Sequence, residues 1–332
     1  MFNRDRFIGS LFNTTPADFN EKAMALFHYQ AEHNTVYKKY LEYLGRSSTH
    51  ITHYSQIPFL PIGFFKTHHI QTKQWEPEKI FSSSSTTGTG QSFHRVKCIR
   101  LYRDSFLTGF RMFVGPPESY IFCAVLPSYR EREGSSLIYM VEELVRTSAH
   151  PLSGFYMHDA HLPATLEQLQ KQAKSDNRTL LIWGVTFALL DLAEKASIEL
   201  SDSIIMETGG MKGRRKEITR PELHTLLQSK LSPKSIYSEY GMTELLSQCY
   251  FTSHNVYQAP PWMKILIRNS SDPFEISEKT ECSGAVNLID LANIDSCAFI
   301  ASDDIGRIHE KGFELNGRLD NSDIRGCNLL FT

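Results

Sequence analysis

Apolar positions recur along the chain with a helical period near its start and with strand-like runs afterwards. "TTPADF" offers Thr15 as an N-cap, Pro16 at the first helical position and Asp18 in the first turn. Together these satisfy the free amides of a helix start. Phe19, Ala23, Leu26 and Phe27 then recur on one face, which predicts a helix. A second helical segment, "TVYKKYLEYLG", ends at Gly45. The following "IPFLPIGFFK" breaks the pattern, because two prolines and a glycine interrupt a strongly apolar run. That excludes regular helix and a central strand. The segment reads either as a hydrophobic loop tucked over the core or as one wall of an apolar pocket.

Beyond "IFSSSSTTGTGQSF" (Ile80 to Phe93), short apolar runs each end in a polar or glycine-containing turn. "SYIFCAVL" leads through "PSYREREGSS" to "LIYMVEELV", and "TLLIWGV" to the helix "TFALLDLAEKA". "SIIM" leads to "ETGGMKGRR", and "KSIYSEYGMTELLSQ" reads as strand, turn and helix. The alternation predicts an α/β protein with a mainly parallel sheet flanked by helices. Its ligands would bind where the carboxyl ends of the strands meet the polar turns. From Ser283 onward, strands and turns follow without helices. The expected division is an α/β region over 1–282 and a smaller β-rich subdomain over 283–332. No internal repeat is visible.

Composition narrows the classes. The 332 residues are 41% hydrophobic and 22% charged, with a formal net charge of −2. That is the balance of a soluble globular chain with room for a large core. The absence of a basic run argues against nucleic acid as a partner. No apolar stretch approaches the roughly 20 residues of a membrane span. "MFNRDRFIGSLFN" lacks the continuous apolar segment of a signal peptide. The six cysteines (Cys98, Cys123, Cys249, Cys282, Cys297 and Cys327) are scattered and form no CxxC pair. They read as reduced thiols of a cytoplasmic protein, without a zinc site.

Three segments carry candidate chemistry. Ser83, Ser84, Ser85, Thr86, Thr87, Gly88, Thr89 and Gly90 form a Ser/Thr/Gly loop. By composition it is either a flexible linker or a phosphate cradle of hydroxyls and backbone amides. It lacks the lysine of a Walker A loop. In "SEYGMTE", Tyr240-Gly241 turns the chain ahead of Met242, and Tyr240 can stack on a purine. Thr243 can offer a hydroxyl to a phosphate at a helix start, and Glu244 can hold Mg2+. The plainer reading is a Thr N-cap with an acidic first turn. In "SDDIGRI" and "NGRLDNSDIRG", Asp304 can accept both ribose hydroxyls and Arg318 can meet a phosphate. Read plainly, they are a turn-rich hairpin.

Taken in that order, the segments resemble the adenylate-forming superfamily of acyl- and aryl-CoA ligases, luciferases and peptide-synthetase adenylation domains. The loop resembles their phosphate motif and Tyr240–Glu244 their YGxTE motif. Asp304 matches their ribose-binding aspartate and Arg318 the arginine of their GRxD element. "METGG", with Gly209 and Gly210, falls where that family sets a loop against adenine. The resemblance implies ATP- and Mg2+-dependent conversion of a carboxylic acid to an acyl-adenylate.

The chain also departs from the pattern. Superfamily members continue past the GRxD element into a mobile domain that carries a lysine supporting adenylation, whereas this sequence stops at Thr332. In "GGMKGRRKE", Lys212 is the first candidate to take that lysine's place, ahead of Arg214, Arg215 and Lys216. One branch has this short architecture, the acyl-protein synthetase component of the bacterial luminescence fatty-acid reductase. "IPFLPIGFFK", "LPSYREREGSSLIYM", "GGMKG" and a cysteine near the C-terminus resemble it. The resemblance implies that Cys327 takes the acyl group as a thioester and passes it to an acyl reductase or acyltransferase partner. A thiolate is a competent nucleophile toward an acyl-phosphate anhydride. Two alternatives stay open. One is a ligase delivering to coenzyme A, a carrier protein or an amine; the other is a degenerate relative that binds nucleotide without turnover. Cys98, Cys123, Cys249, Cys282 and Cys297 read as structural, Ser135 and Ser136 as helix caps, and the histidines, His94 among them, as outside the site.

Overall fold

In the computed structural model, which describes every residue except 1, 47, 84–89, 129, 196–197, 210–217, 270–271 and 320–332, the first predicted helix start is used one turn late. The amide of Thr15 donates to Asp18 Oδ1 at 2.6 Å, and the amide of Asp18 donates to Thr15 Oγ1 at 3.4 Å. The pair closes a single turn, and the regular helix begins behind it. A short α1 (Arg4–Leu11), capped by Asn3, comes first; α2 is Phe19–His33 and α3 is Thr35–Tyr43. Phe19, Ala23, Leu26 and Phe27 are all buried on one face of α2, as their spacing predicts. Gly45 follows α3 at φ +62°, the left-handed position a helix end favours.

The proline-broken segment supplies a two-residue strand, β1 (Leu60–Pro61), and one helical turn, α4 (Phe64–Thr67). Ile57, Phe59, Leu60, Ile62 and Phe65 are buried. Phe59 lies edge-on to Phe299 at 6.3 Å, and the Tyr37 hydroxyl donates to the Pro58 carbonyl at 2.6 Å. Of its two readings, the loop packed on the core is the one these contacts describe.

The chain then enters a second unit, residues 77–257. A hairpin of β2 (Lys79–Ser82) and β3 (Phe93–Val96) opens it, followed by α5 (Ile99–Phe113). Next come β4 (Tyr120–Val125), α6 (Ser136–Ser148), β5 (Gly154–Phe155) and α7 (Leu162–Ser175). β6 (Thr179–Val185), α8 (Thr186–Lys195), β7 (Ser203–Thr208), α9 (Arg220–Leu231) and β8 (Ser235–Tyr240) continue the alternation. The strands stand in the order β5, β4, β6, β7, β8, all parallel. β4 and β7 are buried throughout and β6 after its first residue. Their runs are therefore continuously apolar in place of alternating.

One expectation fails in this unit. The helix predicted after Tyr240-Gly241 is absent: residues 241–248 form an irregular turn, and β9 (Cys249–Phe251) returns antiparallel to β8. Leu245 and Leu246 are both buried. Their side chains are satisfied by the turn, and the antiparallel return takes up the chain that a helix would have used.

After β10 (Tyr257–Gln258), the chain rejoins the first unit, residues 1–76 and 258–332. Here β11 (Met263–Arg268), β12 (Ile276–Ser277), β13 (Ser283–Asp290), β14 (Phe299–His309) and β15 (Gly312–Arg318) form antiparallel ladders in the order β12, β11, β13, β14, β15. β1 lies parallel to β14. Among the described residues, those from 283 to 319 hold strands and turns, and residues 282 and 283 both fall in this unit. Among the described residues no helix is long and apolar enough to cross a membrane.

A buried amide ties α2 to the segment before β14. Gln30 of α2 is fully buried. Its Nε2 donates to the carbonyls of Asn293 at 2.8 Å and Ile294 at 3.1 Å, and its Oε1 accepts from the amide of Ala298 at 2.9 Å. Gln30→Ala removes the side-chain partner of three buried backbone groups. The expected loss is on the order of 3 kcal/mol, read as a lower urea midpoint with an unchanged slope.

Candidate functional site

Parallel strands β6, β7 and β8 end at one edge of the second unit's sheet. The β7–β8 register sets Thr208 opposite Glu239, and the Thr208 hydroxyl donates to the Glu239 carboxylate. Thr186, directly after β6, donates its hydroxyl to the Gly209 carbonyl at 2.7 Å and to Glu207 Oε2 at 3.4 Å. The position of Gly209 and Tyr240 at neighbouring strand ends is the one the strand–turn pattern predicts.

Gly241 follows because nothing larger fits. A Cβ there would stand 2.5 Å from Glu239 Oε1 and 3.2 Å from Gln248 Cγ. The carboxylate is held by Thr208, so it can yield only by giving up that bond. Past the glycine, Met242 and Thr243 are half-buried, and Glu244 is 4% exposed. The Leu245 amide donates to the Met242 carbonyl at 3.1 Å and closes the turn. Half-buried Tyr240 keeps its ring 6.0 Å from Tyr257, tilted by 56°.

The serine-rich hairpin reaches this turn from its other side. Its base is closed by the Ser83 amide donating to the Ser92 carbonyl at 3.0 Å and the Ser92 amide to Ser83 Oγ at 2.9 Å. Gly90 is exposed, at φ +84°. On β3, the buried ring of His94 places Nδ1 2.8 Å from the Thr243 carbonyl. A carbonyl only accepts, so Nδ1 carries the proton. Burial brings the His94 pKa down to about 4 against the opposing effect of that bond, and the ring is neutral at physiological pH.

Two acids at the same edge are shifted the other way. Burial pushes both Glu239 and Glu207 up to about 7. Thr208 donates to Glu239 and pulls it back, while the charge of Glu207 raises it further. Glu207 is eased downward by Ser238, Arg220 and Thr186. Arg220 lies over the rings of Phe251 at 4.5 Å and Tyr257 at 4.7 Å. Perturbed carboxyls at strand ends are a feature of functional edges.

The remaining candidates fall elsewhere. Asp304 and Arg318 lie in the first unit, directly opposite each other on β14 and β15. Arg318 Nε is 3.2 Å from Asp304 Oδ1, with the arginine side chain 70% exposed and the aspartate 15%. Ser84, Ser85, Thr86, Thr87, Gly88, Thr89, Gly210, Lys212 and Cys327 lie outside the described residues. Ser135 caps α6, accepting from the Ile138 amide at 3.4 Å. Cys123, Cys249 and Cys297 are buried, and burial pushes the Cys297 thiol up to about 12. Among the described residues no group of three or more His, Cys, Asp or Glu side chains stands close enough to hold a metal ion.

The sequence reading set His94 aside with the other histidines and gave Thr186, Glu207 and Glu239 no role at this edge. Glu239 stands beside the Tyr-Gly pair, yet nothing in the local sequence names Thr208, on the neighbouring strand, as its partner. His94 had a local signal, two positions past the Ser92 that closes the loop, but its partner is 149 positions away.

No family model and no curated protein matches the chain. Among solved structures, it is similar to o-succinylbenzoate coenzyme A synthetase from Bacillus subtilis in complex with AMP. The TM-score is 0.46 and the identity 15%, over 74% of this chain and 49% of that one. It is similar also to a fatty acyl-adenylate ligase from L. pneumophila in complex with acyl adenylate and pyrophosphate, with TM-score 0.48 and 12% identity, over 77% of this chain and 54% of that one. The chain spans about half the length of these structures. Similarity at this level says nothing of substrate or reaction for this chain.

Gly241→Ala is expected to cost about 1–3 kcal/mol of stability. Glu239→Ala in the same chain should return part of it, because the atom the new Cβ strikes is gone; a urea-unfolding double-mutant cycle reads the coupling. A pH dependence also follows. A carboxyl raised by burial keeps its proton in the fold after the unfolded chain has lost its own. The contribution of Glu239 is therefore full below pH 4.5 and lost as pH rises toward about 7. The Glu239→Gln variant should lose less stability than the parent across that window. His94 acts with the opposite sign, losing stability as pH falls from 6.5 toward about 4. Urea midpoints at stepped pH separate the two.

Proposed function

We propose that the chain activates a carboxylic acid with ATP and Mg2+ as an acyl-adenylate, and then takes the acyl group onto Cys327 as a thioester for delivery to a partner enzyme. The observation that carries the first step is the His94–Thr243 bond. It ties the hairpin bearing the Ser/Thr/Gly loop to the turn bearing Tyr240–Glu244, two segments that the sequence separates widely and that both have the chemistry of phosphate binding. A second support is their position at the carboxyl ends of parallel strands.

In the first step a substrate carboxylate oxygen attacks the α-phosphorus of ATP. The new P–O bond forms as the bond to pyrophosphate breaks, and pyrophosphate leaves with the electron pair. Hydroxyls and amides of the 83–90 loop hold the phosphates, Tyr240 stacks on the purine, and Asp304 accepts the ribose hydroxyls. Lys212 and Arg318 offset phosphate charge. The donor chemistry suits Mg2+, which is commonly held by one or two carboxylates together with substrate phosphates; Glu244 is the carboxylate assigned to it. When bound, Mg2+ neutralises phosphate charge. In the second step the Cys327 thiolate attacks the acyl carbon, the C–O bond to AMP breaks, and AMP leaves. Burial makes Cys123 and Cys297 poor nucleophiles, which leaves fewer thiols to compete with Cys327.

Intact-protein mass after incubation with Mg-ATP and a panel of fatty and aryl acids tests both steps. A gain of one acyl group, mapped to the peptide containing Cys327, is expected with at least one acid. Cys327→Ser should abolish that gain while acid-stimulated ATP–pyrophosphate exchange persists. Exchange without any acyl-protein would replace self-acylation by transfer to an external acceptor. Absence of both across the panel would overturn the enzymatic reading.

A further inference from the structure

Asp304 sits in the most irregular part of its sheet. Between β13 and β14 the pairing runs from Ala285↔Ile305 to Asn287↔Ala301. One residue of β13, Val286, thus faces three of β14: Ser302, Asp303 and Asp304. On the other side of β14, Asp304 pairs with Arg318 and the register shifts again between Ile305 and Gly306. A bulge of this kind re-aims side chains, but it removes ladder bonds and leaves backbone groups to be satisfied by other means.

The replacement comes from Arg268, the last residue of β11. Its guanidinium, only 9% exposed by residue, donates to the Val286 carbonyl at 2.8 Å, to Asn287 Oδ1 at 2.8 Å and to the Ser302 carbonyl at 2.5 Å. It thereby bridges β13 and β14 across the irregularity. Ser302 continues the link, its hydroxyl donating to the Val286 carbonyl at 2.9 Å while its Oγ accepts from the Asp304 amide at 3.2 Å. Gly284 lets β11 and β13 close up beside it, since a Cβ there would stand 2.5 Å from the Arg268 carbonyl oxygen. The guanidinium donates to two backbone carbonyls and an amide oxygen, a use of its donor geometry, five N–H groups in a rigid fork. Burial disfavours the cation and the charges of Asp303 and Asp304 favour it; an apolar residue and an unbroken ladder would still have completed the strand more cheaply.

We infer that Arg268 is a positioning residue for Asp304: its guanidinium supplies the bonds that the bulge removes and so fixes the backbone from which Asp304 is presented. The inference rests on the reading of Asp304 as the acceptor of ribose hydroxyls.

Binding of Mg-ATP and of Mg-2′,3′-dideoxy-ATP to the full chain separates positioning from general stability. The parent should prefer ATP by about tenfold, the worth of a charge-assisted hydrogen bond, and Asp304→Ala should remove the preference. Arg268→Lys, which keeps the charge and loses the fork, should reduce the preference several-fold with affinity for the dideoxy nucleotide unchanged. Ser302→Ala, a smaller change that keeps the fold if Arg268→Lys does not, should do the same. If both variants keep the parent preference, or lose affinity for the two nucleotides equally, while Asp304→Ala abolishes it, the positioning role is overturned and the ribose assignment stands. If the parent itself shows no preference, the ribose assignment falls and the inference falls with it.

Discussion

The register between β7 and β8 is the constraint from which the candidate site of the second unit follows. It sets Thr208 beside Glu239, and the threonine hydroxyl keeps a buried carboxylate satisfied. That carboxylate occupies the space a side chain at 241 would need, so the chain turns at a glycine. The turn brings the Thr243 carbonyl to His94, and His94 anchors the second strand of the serine-rich hairpin. A one-residue slip of β8 would move Glu239 to the opposite face of the sheet. The glycine would then lose its reason and the hairpin its tether.

The first unit meets a comparable demand with the opposite charge. There the irregular backbone lies within β14 itself, and a buried cation takes up the carbonyls that the ladder leaves over. In both units a buried polar side chain is satisfied by hydrogen bonds next to a residue with candidate chemistry. Neither arrangement is a cheap way to build a sheet. An orphaned buried carbonyl or amide costs on the order of 1–3 kcal/mol, which is the scale of loss that Arg268 and Thr208 each avert. An apolar, regular strand would incur no such loss, but it would also present no carboxylate at a fixed point.

What the sequence made legible follows the same division. The parallel strands could be read because burial on both faces demands unbroken apolar runs, and "SYIFCAVL", "TLLIWGV" and "SIIM" are such runs. The helix over Phe19–His33 was legible from its spacing, though Asp18 rather than Thr15 stands at its cap. The helix expected after Gly241 was not there, because Thr-Glu before two leucines is also what a turn with two buried side chains looks like. The turn-rich hairpin that was the plainer reading of the segments holding Asp304 and Arg318 is there, but the bulge was invisible: nothing in "VNLIDLANIDSCAFIASDDIGRI" states which residues go unpaired. Long-range partners were the other blind spot. Glu239 and His94 take their character from Thr208 and Thr243, and only the fold supplies those neighbours.

The turn at Tyr240–Glu244 and the strand that carries Asp304 belong to different units, and each is held by bonds internal to its own. Thr208, Gly241 and His94 fix the turn at Tyr240–Glu244 without reference to Asp304, while Val286, Ser302 and Arg268 fix Asp304 without reference to that turn. Substitutions in groups that share no partner should act additively on stability. Local rigidity of this sort is what positioning demands: a carboxylate selects hydroxyl geometry only if its own backbone does not move to suit the ligand. The buried arginine beside Asp304 and the buried glutamate beside Gly241 meet that requirement by the same means, a buried group held by hydrogen bonds that restricts the backbone next to it.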